Sequence, residues 1–488
     1  MKNMLNKAIL ALLVFAFTAC GDFGDLNVNP NKPVAVDTES LLTQSLRSIG
    51  GDNFNTFIGV LDNDRIGPIY AQHIANITYT DDDRYQAVQS DFSAWYNGPL
   101  ADLDRIIKLN TNEETKDAAS KSGSNANQIA AARILKAYYF QLLTDLWGPM
   151  PYSEALQGDD GLFTPAYDSQ EAIYQALFTE LQDAVAQMDS GAGVAGDFIF
   201  GGDMAAWAKF ANTIRMNMAI RAADANETLA KAQFLDAIAD GVIESDLMYP
   251  YLSEANNENP WFTAFRTRTD FALTEMLVDG MKDYGDPRLQ RYADPTLNSV
   301  SAGNPEYVGM PYGLAEPTTQ PPDVSYPNST YVKAQNAPLA IYTMAQVNFA
   351  KAEAAARGWT TDNPEDHYKA AIEASWDQWS VDYDQAAFDA YYNQEGISWD
   401  AGKWGQLIGY QKWLALFGQG YEAWTEWRRL DYPELVLPED PLSPSGGIPI
   451  RLIYPASAEN LNPANYQQAL QLLGGPDSDG THLWWDVK

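Results

Sequence analysis

The strongest constraint on this chain is a run of apolar side chains at helical spacing. Within residues 129–147, Leu135, Tyr138, Tyr139, Leu142, Leu143, Leu146 and Trp147 fall at steps of 0, 3, 4, 7, 8, 11 and 12. Those steps put every one of them on a single helix face. Gly148-Pro149 then stops the helix, because proline disfavours helical geometry in the residue before it. Weaker runs of the same kind predict helices over about residues 38–48, 90–109, 169–188, 203–223 and 228–239. Later ones are predicted over about 273–283, 340–357, 364–380 and 404–428. In the last of these, Leu407, Tyr410, Leu414, Phe417, Tyr421 and Trp424 keep stepping by three and four. Trp413, Leu416 and Trp427 add apolar surface elsewhere, so this helix is expected to be buried on most sides. Strand signals are scarce; Ile448 to Tyr454 (IPIRLIY) is the best. The fold class is therefore all-α dominated, a scaffold of tetratricopeptide-like helical hairpins, although the strict ~34-residue consensus is absent.

A different texture interrupts the helices. Residues 285–338 carry nine of the 27 prolines together with Tyr292, Tyr307, Tyr312, Tyr326 and Tyr331. A structureless stretch of that length inside a domain is usually functional or disordered, and its tyrosines argue against disorder. Residues 245–268 have the same loop character. The expectation is one domain over 38–488, with a loop-rich insert over about 245–338 as a second subdomain with few short strands.

Charge and cysteine usage then exclude whole classes of function. The 488 residues carry 65 Asp and Glu against 31 Lys and Arg, a formal charge of −34. No basic patch offsets it, which argues against nucleic acid. The single cysteine removes any disulfide framework and any cysteine-based zinc site. It sits at position 20, after Lys2, Lys7 and an apolar run over 8–17 that is too short for a mature span of ~20 residues. Phe17-Thr-Ala-Cys20 resembles the bacterial lipobox, with Phe17 where such motifs more often carry Leu. Residues 1–19 then read as a lipoprotein signal peptide, Cys20 as the lipidated residue, and residues 20–37 as a lipidated N-terminal tether. An ordinary signal peptide with an incidental cysteine is the alternative. Processing at Cys20 leaves 469 residues and takes the charge from −34 to −36 through loss of Lys2 and Lys7.

Several motifs carry no chemistry. Gly191 to Gly196 (GAGVAG) matches the dinucleotide fingerprint in letters, but a long helix precedes it where a strand is required. Residues 396–404 (GISWDAGKW) miss the phosphate-loop spacing by one residue, and Trp404 replaces the metal-binding hydroxyl. His73, His367 and His482 lie far apart with no partner at ligand spacing. Asp81-Asp82-Asp83 could offer oxygens to a structural Ca2+, yet the glycine and terminal Glu of an EF-hand are missing. No metal and no cofactor is expected. A carboxylate pair for glycoside hydrolysis stays open, since acidic residues are plentiful.

Ordered segments resemble the SusD/RagB family, surface lipoproteins that act as substrate-binding lids on TonB-dependent outer-membrane transporters in Bacteroidetes. After Cys20 come residues 27–33 (NVNPNKP), similar to the family's N-terminal arm, and Asp22 and Asp25 resemble its surface-export acids. Residues 130–156, 207–224, 286–289, 347–359 and 420–433 follow in the family's order. The ending 448–465 (IPIRLIYPASAENLNPAN) and Trp484-Trp485-Asp486 complete it. The resemblance implies a non-enzymatic, cell-surface nutrient-binding lipoprotein on the outer membrane, facing the exterior. It implies a SusC-like transporter as partner and an oligosaccharide, or an oligopeptide, as ligand. A surface-anchored helical-barrel glycoside hydrolase using a carboxylate pair is the alternative, and a structural protein without ligand is a third reading.

Sugar rings present apolar C–H faces and peripheral hydroxyls, so their recognition calls for flat aromatics flanked by Asp, Asn or Arg in loops. Three segments have that mixture and are expected to converge. Residues 76–96 supply Tyr79, Asp82, Arg84, Tyr85 and Trp95, with Tyr96 beside them. Residues 257–270 supply Trp261, Arg266 and Arg268, with Phe262 and Asp270. Residues 307–331 supply Tyr307, Tyr312 and Tyr326, with Asp323. Arg428, Arg429 and Arg451 are expected to satisfy carboxylates or helix ends, and Glu422 and Glu426 to be partners for those arginines.

Overall fold

The helix predicted from the apolar stripe forms over Asn125–Trp147, capped at its start by Ser124, whose hydroxyl accepts from Asn127 N. The computed structural model describes residues 36–51, 66–86, 90–316, 319–382 and 384–488. The signal peptide, Cys20 and the tether to residue 35 lie outside the described residues. The principal helices are α1 (Thr38–Gly50), α2 (Ile66–Tyr70), α3 (Pro99–Thr111), α4 (Asn125–Trp147), α5 (Gln170–Gln187) and α6 (Met204–Arg221). They continue as α7 (Glu227–Asp240), α8 (Met344–Ala356), α9 (Pro364–Gln378), α10 (Trp404–Ala415) and α11 (Gly420–Leu430). Sequential pairs α3/α4, α6/α7 and α8/α9 pack as hairpins, and α4 also lies against α5 and α6. The fold is helical, with only short strands: β1 (Ile74–Asn76), β2 (Leu247–Tyr249), β3 (Phe271–Leu273) and β4 (Leu339–Tyr342). β1 pairs antiparallel with β3, and β2 with β4.

Three predicted helices are interrupted, two by tertiary contacts and one by a local Gly-Pro break. Residues 404–428 are two helices and not one. α10 ends at Ala415, Gly418 takes φ +88°, and α11 begins at Gly420. The apolar stepping continues across the break because both helices face the same core. The break lets α11 start against α2, where a Cβ on Gly67 would stand 2.5 Å from Tyr421 N and one on Gly420 would overlap Pro68. Gly420→Ala is therefore expected to cost about 1–3 kcal/mol through forced separation of α2 and α11, read as a lowered denaturation midpoint. Residues 340–357 begin as strand β4, since Leu339 to Tyr342 find partners in β2; α8 starts only after Thr343, which forms a capping box with Gln346. The predicted helix over 90–109 is likewise split at Gly98-Pro99 into Ser93–Asn97 and α3.

The segment 448–454 is not a strand. Two of its donors go to the C-terminus of α4, where the last carbonyls of a helix lack partners within it, while Ile450 N and Tyr454 N donate to Asp479 O and the Asp477 carboxylate. Leu452 N donates to Leu146 O at 2.8 Å, and Arg451 Nη2 to Trp147 O at 3.2 Å. Arg428 Nη1 donates to Asp145 O at 2.8 Å, and Gly148 N and Gln170 Nε2 reach Thr144 O. Arg428 and Arg451 thus serve a helix end, and Arg451 also pairs with Asp477 at 2.7 Å.

Beneath that helix end lies a buried chain of charges of alternating sign. Arg221 on α6 meets Asp145 on α4 and Glu422 on α11, both at 2.5 Å, and Glu426 at 3.2 Å. Glu426 also takes Lys412 of α10 at 2.9 Å and Arg429 at 2.8 Å. Arg429 continues to Glu353 on α8 at 2.7 Å, and Glu353 to Arg357 at 2.9 Å. Glu422 and Glu426 are therefore ion-pair partners inside the scaffold; Glu422 pairs with Arg221 and not with the arginines of its own helix.

Candidate functional site

The antiparallel pairing of β1 with β3 sets residues 77–84 beside residues 265–270. Ile77 N donates to Asp270 O at 2.8 Å, just past the ladder. The 80–86 turn is then folded by Asp83, whose carboxylate accepts from Asn76 N and Asn76 Nδ2, both at 2.8 Å. Burial raises the Asp83 pKa well above the ordinary value, against the Asn76 hydrogen bonds that lower it. Asp83 is thereby a structural acid engaged by backbone and amide donors.

Loop segments from all three regions meet here. Arg268 lies over the Tyr79 ring at 5.4 Å, Thr80 Oγ1 donates to Ala315 O at 3.5 Å, and the Phe265 and Tyr326 rings are 6.0 Å apart. Tyr79 is 62% exposed. Arg268 is exposed and held by Asp270, its Nε 2.9 Å from a carboxylate oxygen. Arg266 is exposed too, pairs with Glu258 and lies over Phe262 at 5.1 Å. Lys333 projects over Phe265 and Tyr326 at 4.9 and 5.3 Å while paired with Asp294, and its pKa is lowered by burial. The arrangement is an open aromatic platform with a fixed cation and carboxylate at its edge. It can stack a ring and hydrogen-bond its hydroxyls.

Other sequence candidates are placed differently. Tyr85, Trp95, Trp261, Tyr312 and Tyr326 are buried. Tyr85 turns inward from a left-handed backbone position at φ 62°, packs on Tyr70 and Tyr312, and bonds Gln72 Nε2 at 2.8 Å. Burial pushes its hydroxyl far above the ordinary tyrosine value. Tyr312 OH donates to Ile69 O and Tyr326 OH to Pro321 O. Trp261 packs against Phe271 and Phe265, and Trp95 against Tyr139 of α4. Arg84 is half-buried, its Nε donating to Asp440 O at 3.0 Å. Asp82 and Tyr307 are half-buried at the loop surface. The exposed group is therefore Tyr79, Arg266 and Arg268, with Asp82 and Tyr307 partly accessible.

Sequence reasoning did not single out a cavity of about 310 Å3 lined by Tyr96, Leu156, Phe163, Tyr167 and Leu461, with no carboxylate in its wall. Phe163 and Leu461 are 80% and 75% exposed. Tyr96, named among the aromatics of residues 76–96, lines this cavity; Leu-Phe between Gly161 and Pro165 is too short to show a period. Of the decoys, Gly191 to Gly196 is a connection between α5 and α6 that braces the start of α4 through Asn127 Nδ2 and Ala192 O. His73 is buried between Trp413 and Phe417, and burial lowers its pKa to about 3.

A family model described as starch-binding associating with outer membrane matches residues 30–455. The chain belongs to the SusD-like family. A solved chitin-binding protein shares 29% identity at a TM-score of 0.80, over 93% of this chain and 100% of that one. A SusD-like protein from Bacteroidetes shares 25% at 0.77, again over 93% and 100%. A chitin-binding SusD homologue from Flavobacterium johnsoniae has the same fold, at 24% identity and a TM-score of 0.75, over 92% and 99%. No curated protein matches the chain. SusD-like proteins associate with the outer membrane, and no helix among the described residues here is long and apolar enough to cross one.

Proposed function

We propose that this SusD-like protein is a cell-surface lipoprotein, anchored through Cys20, that captures oligosaccharides and does no chemistry on them. It delivers them as a lid to a SusC-like TonB-dependent transporter in the outer membrane. The observation that carries the binding role is the exposed Tyr79–Arg268–Asp270 platform, where loop segments distant in sequence meet. A neutral glycan suits it: the ring stacks on Tyr79, and hydroxyls bond to Arg268 and Asp270. The family's starch-binding description and the 29% identical chitin-binding structure support a glycan over an oligopeptide.

The test is isothermal titration of the lipid-free mature chain with chitin and maltose oligosaccharides and with oligopeptides, followed by product analysis. Saturable binding of an oligosaccharide without turnover is expected. Release of shorter sugars would establish the glycosidase alternative, and binding of peptides alone would overturn the glycan assignment. For the lid, affinity capture of the lipidated full chain from detergent-solubilised outer membranes should recover a TonB-dependent barrel. Its absence would remove the delivery step while leaving capture intact.

A further inference from the structure

The cavity of about 310 Å3 described above forms where three stretches far apart in sequence meet. They are residues 92–97, the loop over 151–167 and the short helix Ala456–Leu461 with Asn462. Hydrogen bonds close each seam. Tyr96 OH donates to Pro151 O at 2.6 Å, Ser457 Oγ to Asp91 Oδ2 at 3.2 Å, and Asn462 Nδ2 to Pro165 O at 2.7 Å. Its rings are locked to the core: Phe92 meets Trp147 edge-on at 5.6 Å, and Tyr167 meets Tyr454 at 5.8 Å. The cavity is thus preformed, and its volume falls at the lower end of the ~300–1,000 Å3 of small-molecule sites.

Two observations mark it as a binding site and limit what it takes. Phe163 and Leu461, at 80% and 75%, are the two most exposed large apolar side chains among the described residues, and both belong to this one wall. Covering such surface is favourable, and apolar surface left open in one place is a mark of binding. Ser93 and Asn97 also line the cavity, four residues apart and so on one face of the helix Ser93–Asn97. Neither the Ser93 hydroxyl nor the Asn97 amide has a hydrogen-bond partner among the described residues. Ser93 is half-buried and Asn97 exposed, so both reach water. A purely apolar guest would strip water from these two groups and return no hydrogen bond. A charged guest would find no counter-charge, because no residue in the wall is charged. A molecule with apolar C–H faces and neutral hydroxyls around its edge meets both demands.

We propose that this cavity is a second carbohydrate site, for a neutral sugar whose C–H face stacks on Phe163 and whose hydroxyls bond to Ser93 and Asn97. It shares no residue with the Tyr79 platform and stands whether or not that platform binds glycan.

The test uses the lipid-free mature chain carrying 13C-methyl leucine, the Leu461 methyl signals being identified by their loss in Leu461→Ala. Maltose, cellobiose, lactose and N,N′-diacetylchitobiose are titrated separately, with digalacturonic acid as a charged probe and N-acetylphenylalaninamide as an apolar one. At least one neutral disaccharide should shift the Leu461 signals saturably, with a dissociation constant of about a millimolar. Phe163→Ala and Asn97→Leu should each weaken that binding about tenfold. Both side chains are exposed, so the thermal midpoints should stay within a degree or two of the parent. Tyr79→Ala should leave the binding unchanged, and the acid and the apolar amide should bind about tenfold more weakly than the sugar. Leu461 signals unmoved by all four neutral disaccharides would overturn the proposal. So would binding that persists undiminished in Phe163→Ala or Asn97→Leu, or that is lost in Tyr79→Ala. The apolar amide binding as tightly as any sugar would overturn it too, and would mark a pocket for a side chain of a partner protein.

Discussion

Glu426→Gln is expected to lower stability by about 3–5 kcal/mol, the cost of breaking a buried ion pair by removing one partner. Glu426 is 2% exposed and receives Arg221, Lys412 and Arg429, which come from three different helices. Burial alone would raise its pKa; Arg429, Lys412 and Arg221 outweigh burial and hold the carboxyl well below the ordinary value of 4.5. Glu353 behaves alike, with burial opposed by Arg429 and Arg357 and the net shift downward. A glutamine keeps the volume but leaves three cations short of a counter-charge in the interior. The comparison variant is Glu365→Gln, whose pair with Lys369 at 2.8 Å is at the surface and should contribute no more than ~1 kcal/mol. Denaturant midpoints of the two variants against the parent chain measure the difference. The sign with pH follows from linkage. A carboxyl with a depressed folded pKa stabilises fully above its unfolded value near 4.5, and that contribution is lost as pH falls toward the folded value. The parent chain should therefore lose stability below about pH 4.5 more steeply than Glu426→Gln. Equal acid slopes, or a loss no larger than that of Glu365→Gln, would show that the buried charges do not tie the helices together.

This network explains why so much of the scaffold was legible in the sequence and so little of its wiring. The stripe from Leu135 to Trp147 repeats with the helix period, so burial alone reveals it. The arginines at 428, 429 and 451 were readable as residues needing partners, because a guanidinium within a mostly apolar segment must be satisfied. Which partner each takes was not readable: Arg429 finds Glu353, which is 76 residues away. The misread elements share that cause. Leu339 to Tyr342 is apolar enough for either helix or strand, and only pairing with Leu247 to Tyr249 decides it. Gly418 and Gly420 were visible in the sequence, but the need for them lies in a left-handed backbone at Gly418 and in the approach of Pro68 to Gly420. Aromatic content located the loop segments and could not sort their rings. Tyr79 and Tyr85 stand six positions apart in similar surroundings; a left-handed turn at Tyr85 sends one inward and leaves the other exposed.

The double variant Tyr79→Ala/Arg268→Ala is expected to reduce oligosaccharide affinity about a hundredfold, as loss of two central contact residues does at other binding surfaces. Tyr79 presents a flat ring with few rotatable bonds, so a sugar stacking on it orders little that was free. Arg268 lies over that ring at 5.4 Å and is steered by Asp270, which holds its N–H groups at the platform's edge. Truncating both removes the stacking surface and the fixed donors together. Both side chains are exposed, so the thermal midpoint should stay within a degree or two of the parent, roughly the scale of neutral surface changes. Tyr85→Phe supplies the opposite pattern. It deletes the buried hydroxyl bonded to Gln72 at 2.8 Å, and should lower stability by about 1 kcal/mol without touching affinity. Arg268→Lys should fall between parent and double variant, because a lysine keeps the charge without the planar fork. Binding of a neutral glycan at this platform should also be nearly indifferent to salt, since no net charge is neutralised on binding. Titration calorimetry of the four proteins against one oligosaccharide series separates these outcomes. If the double variant binds as the parent does, the glycan sits elsewhere on the molecule, and the platform's role in capture is withdrawn.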